Sequence, residues 1–459
     1  MEQATIAAIA TAVGRGGIGI VRISGPKALF IGDAIFRPRH QGRVSEQSSF
    51  SARYGTVVDP ASNNVIDEAI ALVMRSPASY TKEDVLELQC HGGPVALTQV
   101  LKQVLAQGAR LATPGEFTQR AFLNGRLDLA QAEAVCDIIT ASTEANLRLA
   151  QQQLRGRLSE EIGVLRKELL ALEAWMEVGI DFPEDDIPEL DQAEVSRKLA
   201  RWQQQLAALI AQGETGHRLR EGLAVVIVGK PNVGKSSLLN ALVGRKRALV
   251  TDIPGTTRDV IEEIINISGL PVRLLDTAGI RQAKDKVEQL GVEAAKEELK
   301  AAELVLMVAD ATRGWQEEDW LIYSLCQGKK ILVLLNKTDV GGGLTVEEVK
   351  QHCPDEEVIP LSVKEGWGLQ KLEETIYNWA LKGEVDVEHV SVSNLRHIEA
   401  LKAAQAAVKE AAQAAAAGFG YDIVSMDVRA ARFELGKITG ESVDRELVDR
   451  IFQEFCIGK

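Results

Sequence analysis

Eight consecutive residues, Gly229, Lys230, Pro231, Asn232, Val233, Gly234, Lys235 and Ser236, fit the pattern G-x-x-x-x-G-K-[ST], and Ser237 follows directly. This pattern is built to hold a polyphosphate. Glycine at 229 and 234 lets the backbone wrap closely, so that its N–H groups face the phosphates. The helix expected to follow adds the partial positive charge of its N-terminus. Lys235 is expected to reach the β- and γ-phosphates and Ser236 to ligate Mg²⁺. Asn232, Val233, Gly234 and Ser237 supply the remaining loop contacts.

Four further segments follow in the order that a nucleotide hydrolase requires. Thr251, Asp252, Ile253, Pro254, Gly255, Thr256 and Thr257 lie where a switch loop would be, and Thr257 is preferred over Thr256 as a second metal ligand. Asp276, Thr277, Ala278 and Gly279 follow an apolar run. The aspartate suits the metal, directly or through water, and the Gly279 N–H suits the γ-phosphate. Asn336, Lys337, Thr338 and Asp339 end another apolar run. A carboxylate at Asp339 can accept from the N1–H and exocyclic amine of guanine, a donor pair that adenine lacks. A site built on such a bond rejects the analogue without it by a factor on the order of 10⁴. Ser362, Val363 and Lys364 are placed to close over the base. Five such segments in this order imply a guanine nucleotide, as GTP or GDP.

Many GTPases carry glutamine directly after the Asp-Thr-Ala-Gly segment to orient the attacking water. Here that position is Ile280, which has no hydrogen-bonding side chain. Asp285 and Glu288 are the nearby acids open to that role.

The elements that position these segments show in the apolar pattern. Short β-branched runs at Leu223–Val228, Val272–Leu275, Leu304–Ala309, Ile331–Leu335 and Val358–Leu361 alternate with helical stretches, the mark of a mostly parallel α/β sheet. Residues 1–118 read as a mixed α/β unit, with strands over Ile18–Ile23 and Ala69–Met74 and a helix over Val95–Leu105. Ala130–Leu154 and Ile162–Val178 have the three- and four-residue apolar spacing of long amphipathic helices. Ile180–Pro188 is an acidic loop punctuated by proline. Asn394–Ala417 and Asp422–Phe455 read as helical again. The expected organisation is therefore 1–118, a first helical part over 119–220, an inserted nucleotide domain over 221–382, and a second helical part over 383–459.

The formal charge of −13 argues against nucleic-acid binding through overall charge. Residues 1–55 run the other way, with seven Lys/Arg against three acids. The five cysteines are scattered, without metal or C-x-x-C spacing, as suits a reducing compartment. No apolar run reaches membrane-spanning length, and no secretory signal is evident. A cytoplasmic location is expected.

Beyond these readings, the chain closely resembles the MnmE (TrmE) family of tRNA-modification GTPases. The likeness rests on Gly14–Ser24, Glu83–Gly93, Pro114–Glu133, the Thr251–Asp259 loop and the terminal Phe455, Cys456, Ile457, Gly458 and Lys459. It implies an N-terminal folate-binding domain that drives homodimerisation, and a Ras-like GTPase domain inserted into a helical domain. It also implies an activity: with the flavoprotein partner MnmG (GidA), the family installs an aminomethyl or carboxymethylaminomethyl group at C5 of the tRNA wobble uridine. The one-carbon unit comes from a tetrahydrofolate derivative, 5-formyl- or 5,10-methylene-tetrahydrofolate. By the same resemblance Asn232, Thr251, Ile253 and Thr256 match a K⁺ site, and Glu288 matches the water-orienting acid. Arg22, Glu87, Arg126 and Lys459 match the folate site, and Cys456 lies in the terminal motif. A guanine-nucleotide switch in ribosome assembly is the competing expectation. Such a factor should carry a basic RNA-binding module, in place of the N-terminal unit and terminal motif found here.

Overall fold

The computed structural model describes residues 4–12, 14–181, 192–246, 263–275, 299–341, 343–381 and 390–459. They form two compact units. One comprises residues 1–136, 153–196 and 406–459, and the other comprises 137–152 and 197–405.

The first unit holds a seven-stranded sheet in the order β3-β4-β5-β6-β2-β1-β7. The strands are β1 (Ile6–Ile9), β2 (Ile18–Ser24), β3 (Phe36–Pro38), β4 (Ser51–Val58), β5 (Val65–Met74), β6 (Val85–His91) and β7 (Arg110–Leu111). All neighbours run antiparallel except β1 and β7. Alternation with period two sorts the side chains. Val21, Ile23, Ala71, Val73, Leu86 and Leu88 form one buried layer, packed with Leu29 and Ile31 of α1 (Ala28–Ile35) and Leu97 and Val100 of α2 (Pro94–Ala106). The residues between them, Arg22 and Glu87, therefore project from the opposite face, directly paired across β2 and β6.

Helices α3 (Glu116–Leu123), α4 (Leu129–Thr140), α5 (Glu144–Leu154) and α6 (Arg157–Asp181) follow. The continuous helix expected over Ala130–Leu154 is in fact two. Thr143 supplies the physical reason: its Oγ1 accepts from Asn146 N at 3.2 Å, capping α5 and ending the run. Helix α6 extends through Ile180 and Asp181, so the acidic loop begins later than expected; its remaining residues lie outside those described.

The second unit is built on a six-stranded sheet in the order β13-β12-β11-β8-β10-β9. Its strands are β8 (Leu223–Val228), β9 (Glu263–Ile267), β10 (Leu270–Leu275), β11 (Leu304–Asp310), β12 (Lys330–Asn336) and β13 (Glu357–Pro360). Only β9, a strand the sequence pattern did not reveal, is antiparallel to its neighbour. β8, β11 and β12 read as near-continuous apolar runs because both faces are covered. Val225, Leu306 and Leu334 enter one core layer. Val226, Val305 and Val333 enter the other. α7 (Gln192–Glu221) precedes this sheet, and α8 (Lys235–Lys246), α9 (Glu317–Leu325), α10 (Val346–His352) and α11 (Leu369–Leu381) belong to it.

The chain ends in α12 (Leu395–Ala416), α13 (Tyr421–Thr439) and α14 (Arg445–Gln453). The single stretch expected over Asp422–Phe455 is broken between α13 and α14. Gly440 adopts φ 91 as the α13 C-cap, and Asp444 accepts from Leu447 N to start α14. Helix α6 lies along α13, where buried Glu173 accepts from Arg429 Nε at 2.6 Å and Arg432 Nε at 2.7 Å.

A buried ionic network ties the start of the chain to α3. Glu116 accepts from Arg110 at 2.5 and 2.7 Å, from Thr113 N at 2.9 Å and from Arg120 at 3.0 Å. Arg120 also reaches Glu83 at 3.0 Å and Ala4 O at 2.7 Å. Burial pushes the Glu116 carboxyl up, but the bonds from Arg110, Thr113 and Arg120 outweigh it and hold it at about 2. A folded-state value depressed from 4.5 stabilises the fold fully above that pH. The stabilisation, about 3 kcal/mol, is lost as pH falls from there toward the folded value. Glu116→Gln is expected to lower the free energy of unfolding at pH 7 by about 3 kcal/mol and to flatten its decline at acid pH. Urea melts at pH 7 and at acid pH check both.

Candidate functional site

The Gly229–Lys235 loop follows β8 and runs into α8, so the helix N-terminus faces the space that the loop encloses. Its backbone is specialised. Gly229 has φ 146 and Gly234 φ 106, and even Asn232 is left-handed at φ 65. A Cβ at 229 would meet Val308 O at 2.4 Å, and one at 234 would meet Asn336 Nδ2 at 2.3 Å. The glycines are thus needed for packing behind the loop as well as for the turn. Lys235 Nζ donates to Gly229 O at 2.6 Å and Lys230 O at 2.7 Å, which sets its ammonium across the loop. Ser236 is half-buried in the first turn of α8, and Ser237 is exposed.

The ends of β11, β12 and β13 bring the base-side segments to the same edge. Asn336, buried, donates from Nδ2 to Val233 O at 2.8 Å and accepts from Val363 N at 3.1 Å. Lys337, itself left-handed at φ 68, donates to Asn232 O at 3.0 Å and to Asp310 at 2.7 Å. Thr338 Oγ1 donates to Leu361 O at 2.9 Å. Asp339 is half-buried in the turn that follows. Ser362 is buried and accepts from Glu365 N at 3.2 Å, while Lys364 is exposed. The loop, Asn336–Asp339 and Ser362–Lys364 are therefore one hydrogen-bonded assembly. Thr251–Thr257, Asp276–Gly279, Ile280, Asp285 and Glu288 lie outside the described residues.

Sequence reasoning missed the groups behind this assembly. Lys230 is 6% exposed, and its Nζ meets Asp319 at 2.7 Å and Gln316 Oε1 at 2.7 Å at the start of α9. Asp310 accepts from Thr312 and Lys337. Burial pushes its carboxyl up, but the bonds from Lys337 and Thr312 prevail and hold it below the usual range. Their one signal in the sequence is position: Lys230 inside the loop, Asp310 at a strand's C-terminal end, where parallel sheets place ligands.

In the first unit, Arg22 Nε donates to Glu87 at 2.8 Å, and its Nη1 to Gly458 O at 3.3 Å. The guanidinium lies 5.7 Å from the ring centres of both Tyr80 and Phe117. Arg126 sits over the Tyr80 ring at 4.7 Å and donates to Tyr80 O at 3.2 Å. Burial, aided by Arg22, lowers the Lys459 ammonium, against the pull of Glu87 and Cys456. The terminal residues reach this place because α14 anchors them. Phe452 packs on Phe122 and Phe455, at centroid distances of 6.3 and 5.1 Å. Gly458, at φ 96, passes so close to Ile9 O that a Cβ would stand 2.5 Å from it. Arg22 and Arg126 thus meet over Tyr80, a residue nothing in the sequence marked, while Glu87 pairs with Arg22 and Lys459 lies within electrostatic reach of both Arg22 and Glu87. His91 is exposed and bonded to Asp67 at 2.6 Å, which raises its imidazole, and it stands apart. Among the described residues no group of three or more His, Cys, Asp or Glu could hold a metal ion, and no helix is long and apolar enough to cross a membrane.

Parallel sheet, glycine loop and base-side assembly define a P-loop GTPase. Family models match at both ends of the chain: "GTP-binding protein TrmE N-terminus" over residues 5–126 and "MnmE helical domain" over residues 129–456. The tRNA modification GTPase MnmE of Desulforamulus reducens is 48% identical over 461 residues, covering 100% of both chains. That of Thermoanaerobacter pseudethanolicus is 46% identical over 456 residues, covering 99% of both. Among solved structures, Aquifex aeolicus Era bound to GDP and AlF4⁻ aligns at 34% identity, over 40% of this chain and 65% of that one, with a TM-score of 0.29. The chain belongs to the MnmE (TrmE) family of tRNA modification GTPases.

The Lys230–Asp319 pair generates a prediction. Lys230→Met removes one partner of a buried pair and leaves Asp319 unbalanced, at a cost of about 3–5 kcal/mol. The expected results are a lower Tm and weaker GDP binding. Thermal melts with and without GDP, together with fluorescent-GDP titration, read both.

Proposed function

We propose that this protein hydrolyses GTP to drive modification of the wobble uridine of certain tRNAs. The reaction installs an aminomethyl or carboxymethylaminomethyl group at C5, together with the flavoprotein partner MnmG (GidA). The observation that carries the GTPase half is the Asn336 network, which ties the phosphate loop to both base-side segments. In this reading Asn232–Ser237, Asn336, Lys337, Asp339 and Ser362–Lys364 hold the nucleotide. Lys235 balances charge on the phosphates, and Ser236 with Thr257 holds Mg²⁺, which when bound supplies further positive charge there. Thr251–Thr257 and Asp276–Gly279 complete the set. Asp339 excludes adenine because its acceptors would stay unpaired against it.

K⁺ at Asn232, Thr251, Ile253 and Thr256 would neutralise charge developing between the phosphates, as an arginine finger does. Glu288 orients the attacking water that Ile280 cannot. The Arg22–Glu87–Arg126–Lys459 cluster suits a tetrahydrofolate derivative. Its cations match acidic groups, the Tyr80 ring offers a stacking face, and Glu87 accepts from ring N–H groups. When bound, that group supplies the one-carbon unit. We read the chain as a cytoplasmic homodimer, with a folate domain over 1–118 and helical parts over 119–220 and 383–459. The GTPase domain over 221–382 is inserted between those helical parts.

GTP turnover is expected to be several-fold faster in KCl than in NaCl at equal ionic strength; equal rates would remove the cation from the reading. In cells lacking the protein, mass analysis of wobble uridine should find the C5 group missing. Unchanged modification would sink the tRNA assignment and favour a switch in ribosome assembly.

A further inference from the structure

Residues 137–152, far from the nucleotide segments in sequence, belong to the same compact unit as the GTPase sheet. The contact between them is specific. Thr143 Oγ1 donates to Gly269 O at 2.9 Å while accepting from Asn146 N. Gly269 forms the β9–β10 turn at φ 97, with its N–H on Asn266 Oδ1 at 2.7 Å. A Cβ there would stand 3.1 Å from Ala145 Cβ, so the turn fits tightly against the start of α5. Asn146 Nδ2 donates to Arg220 O at 3.2 Å, and Arg220 pairs with Asp137 at 2.8 Å. A cavity of about 230 Å³ lies at this joint, lined by Asp137, Asn146, Arg220 and Arg273 among others.

The strands that meet at Gly269 are the direct continuations of the two catalytic segments. β9 begins six residues after Thr257 and β10 ends one residue before Asp276. The loop and base-side segments that grip the nucleotide depend on β8, β11, β12 and β13 instead. A tether on the turn of β9–β10 therefore bears most directly on Thr257, assigned to the metal, and on Asp276–Gly279, assigned to metal and γ-phosphate, and less directly on the loop and the base-side segments. We infer that Thr143 is a positioning residue for GTP hydrolysis, acting from outside the GTPase domain by holding the β9–β10 turn through Gly269. Thr143 is 5% exposed, so water does not readily replace the bond. The inference rests on the GTPase reading above.

The test is steady-state GTP turnover by the full-length protein, alongside GDP affinity and Tm, for wild type, Thr143→Val and Thr143→Ser. Valine keeps the shape and deletes the hydroxyl, and serine restores it. Thr143→Val is expected to lower kcat about fivefold with KM and GDP Kd changed less than about twofold, and Thr143→Ser to recover most of the rate. Unchanged kcat in the valine variant overturns the inference. So does a loss matched by equal losses of GDP affinity and Tm that serine does not rescue. Should the valine variant not fold, Thr143→Ala carries the same comparison. Absence of GTP turnover in the wild type would instead overturn the GTPase reading itself.

Discussion

Asn336 stands buried at the end of β12, with its amide nitrogen 2.8 Å from Val233 O and its amide oxygen 3.1 Å from Val363 N. One short side chain thereby joins the glycine loop to the Ser362–Lys364 segment. Burial gives these bonds their weight, since a carboxamide with a missing partner would carry its full desolvation cost. The close approach also explains Gly234, where any side chain would displace the Asn336 nitrogen. Lys337 repeats the arrangement one residue on, between Asn232 O and Asp310. The candidate nucleotide site is therefore held as a unit by the same residues that we assign to the ligand.

The N-terminal sheet uses a different economy. Helices α1 and α2 cover one face, so strict alternation sends Arg22 and Glu87 to the other, side by side in register and beside Phe117 of α3. The ion pair there is largely buried, and Gly458 O of the returning C-terminus accepts from the same guanidinium. The terminal segment is held in place by the aromatic packing of Phe122, Phe452 and Phe455, which fixes where Lys459 lies. A few apolar contacts at one end of the chain thus complete a polar cluster at the other.

Between sheet and helices, threonine and asparagine do the joining. Thr143 caps the start of α5 and bonds the β9–β10 turn, both through one hydroxyl. Such double use makes the side chain hard to replace even by a close isostere.

Local chemistry determined much of this by itself. The phosphate loop, the Asn336–Asp339 turn and the parallel strands were legible because each depends on short-range rules: glycine where φ is positive, apolar runs where both faces are buried. Period-two alternation along β2, once the strand forms, sets Arg22 on the face opposite Val21 and Ile23. What only the tertiary structure decided are the partnerships made across long separations. Lys230 with Asp319, Thr143 with Gly269, and Tyr80 beneath Arg22 and Arg126 carry no local signature, because neither partner needs a special backbone or a recognisable spacing. The breaks at Thr143 and Gly440 were hidden for the opposite reason. Their local cap signals lie within apolar periodicity continuous enough to mask them, and packing settled which prevailed.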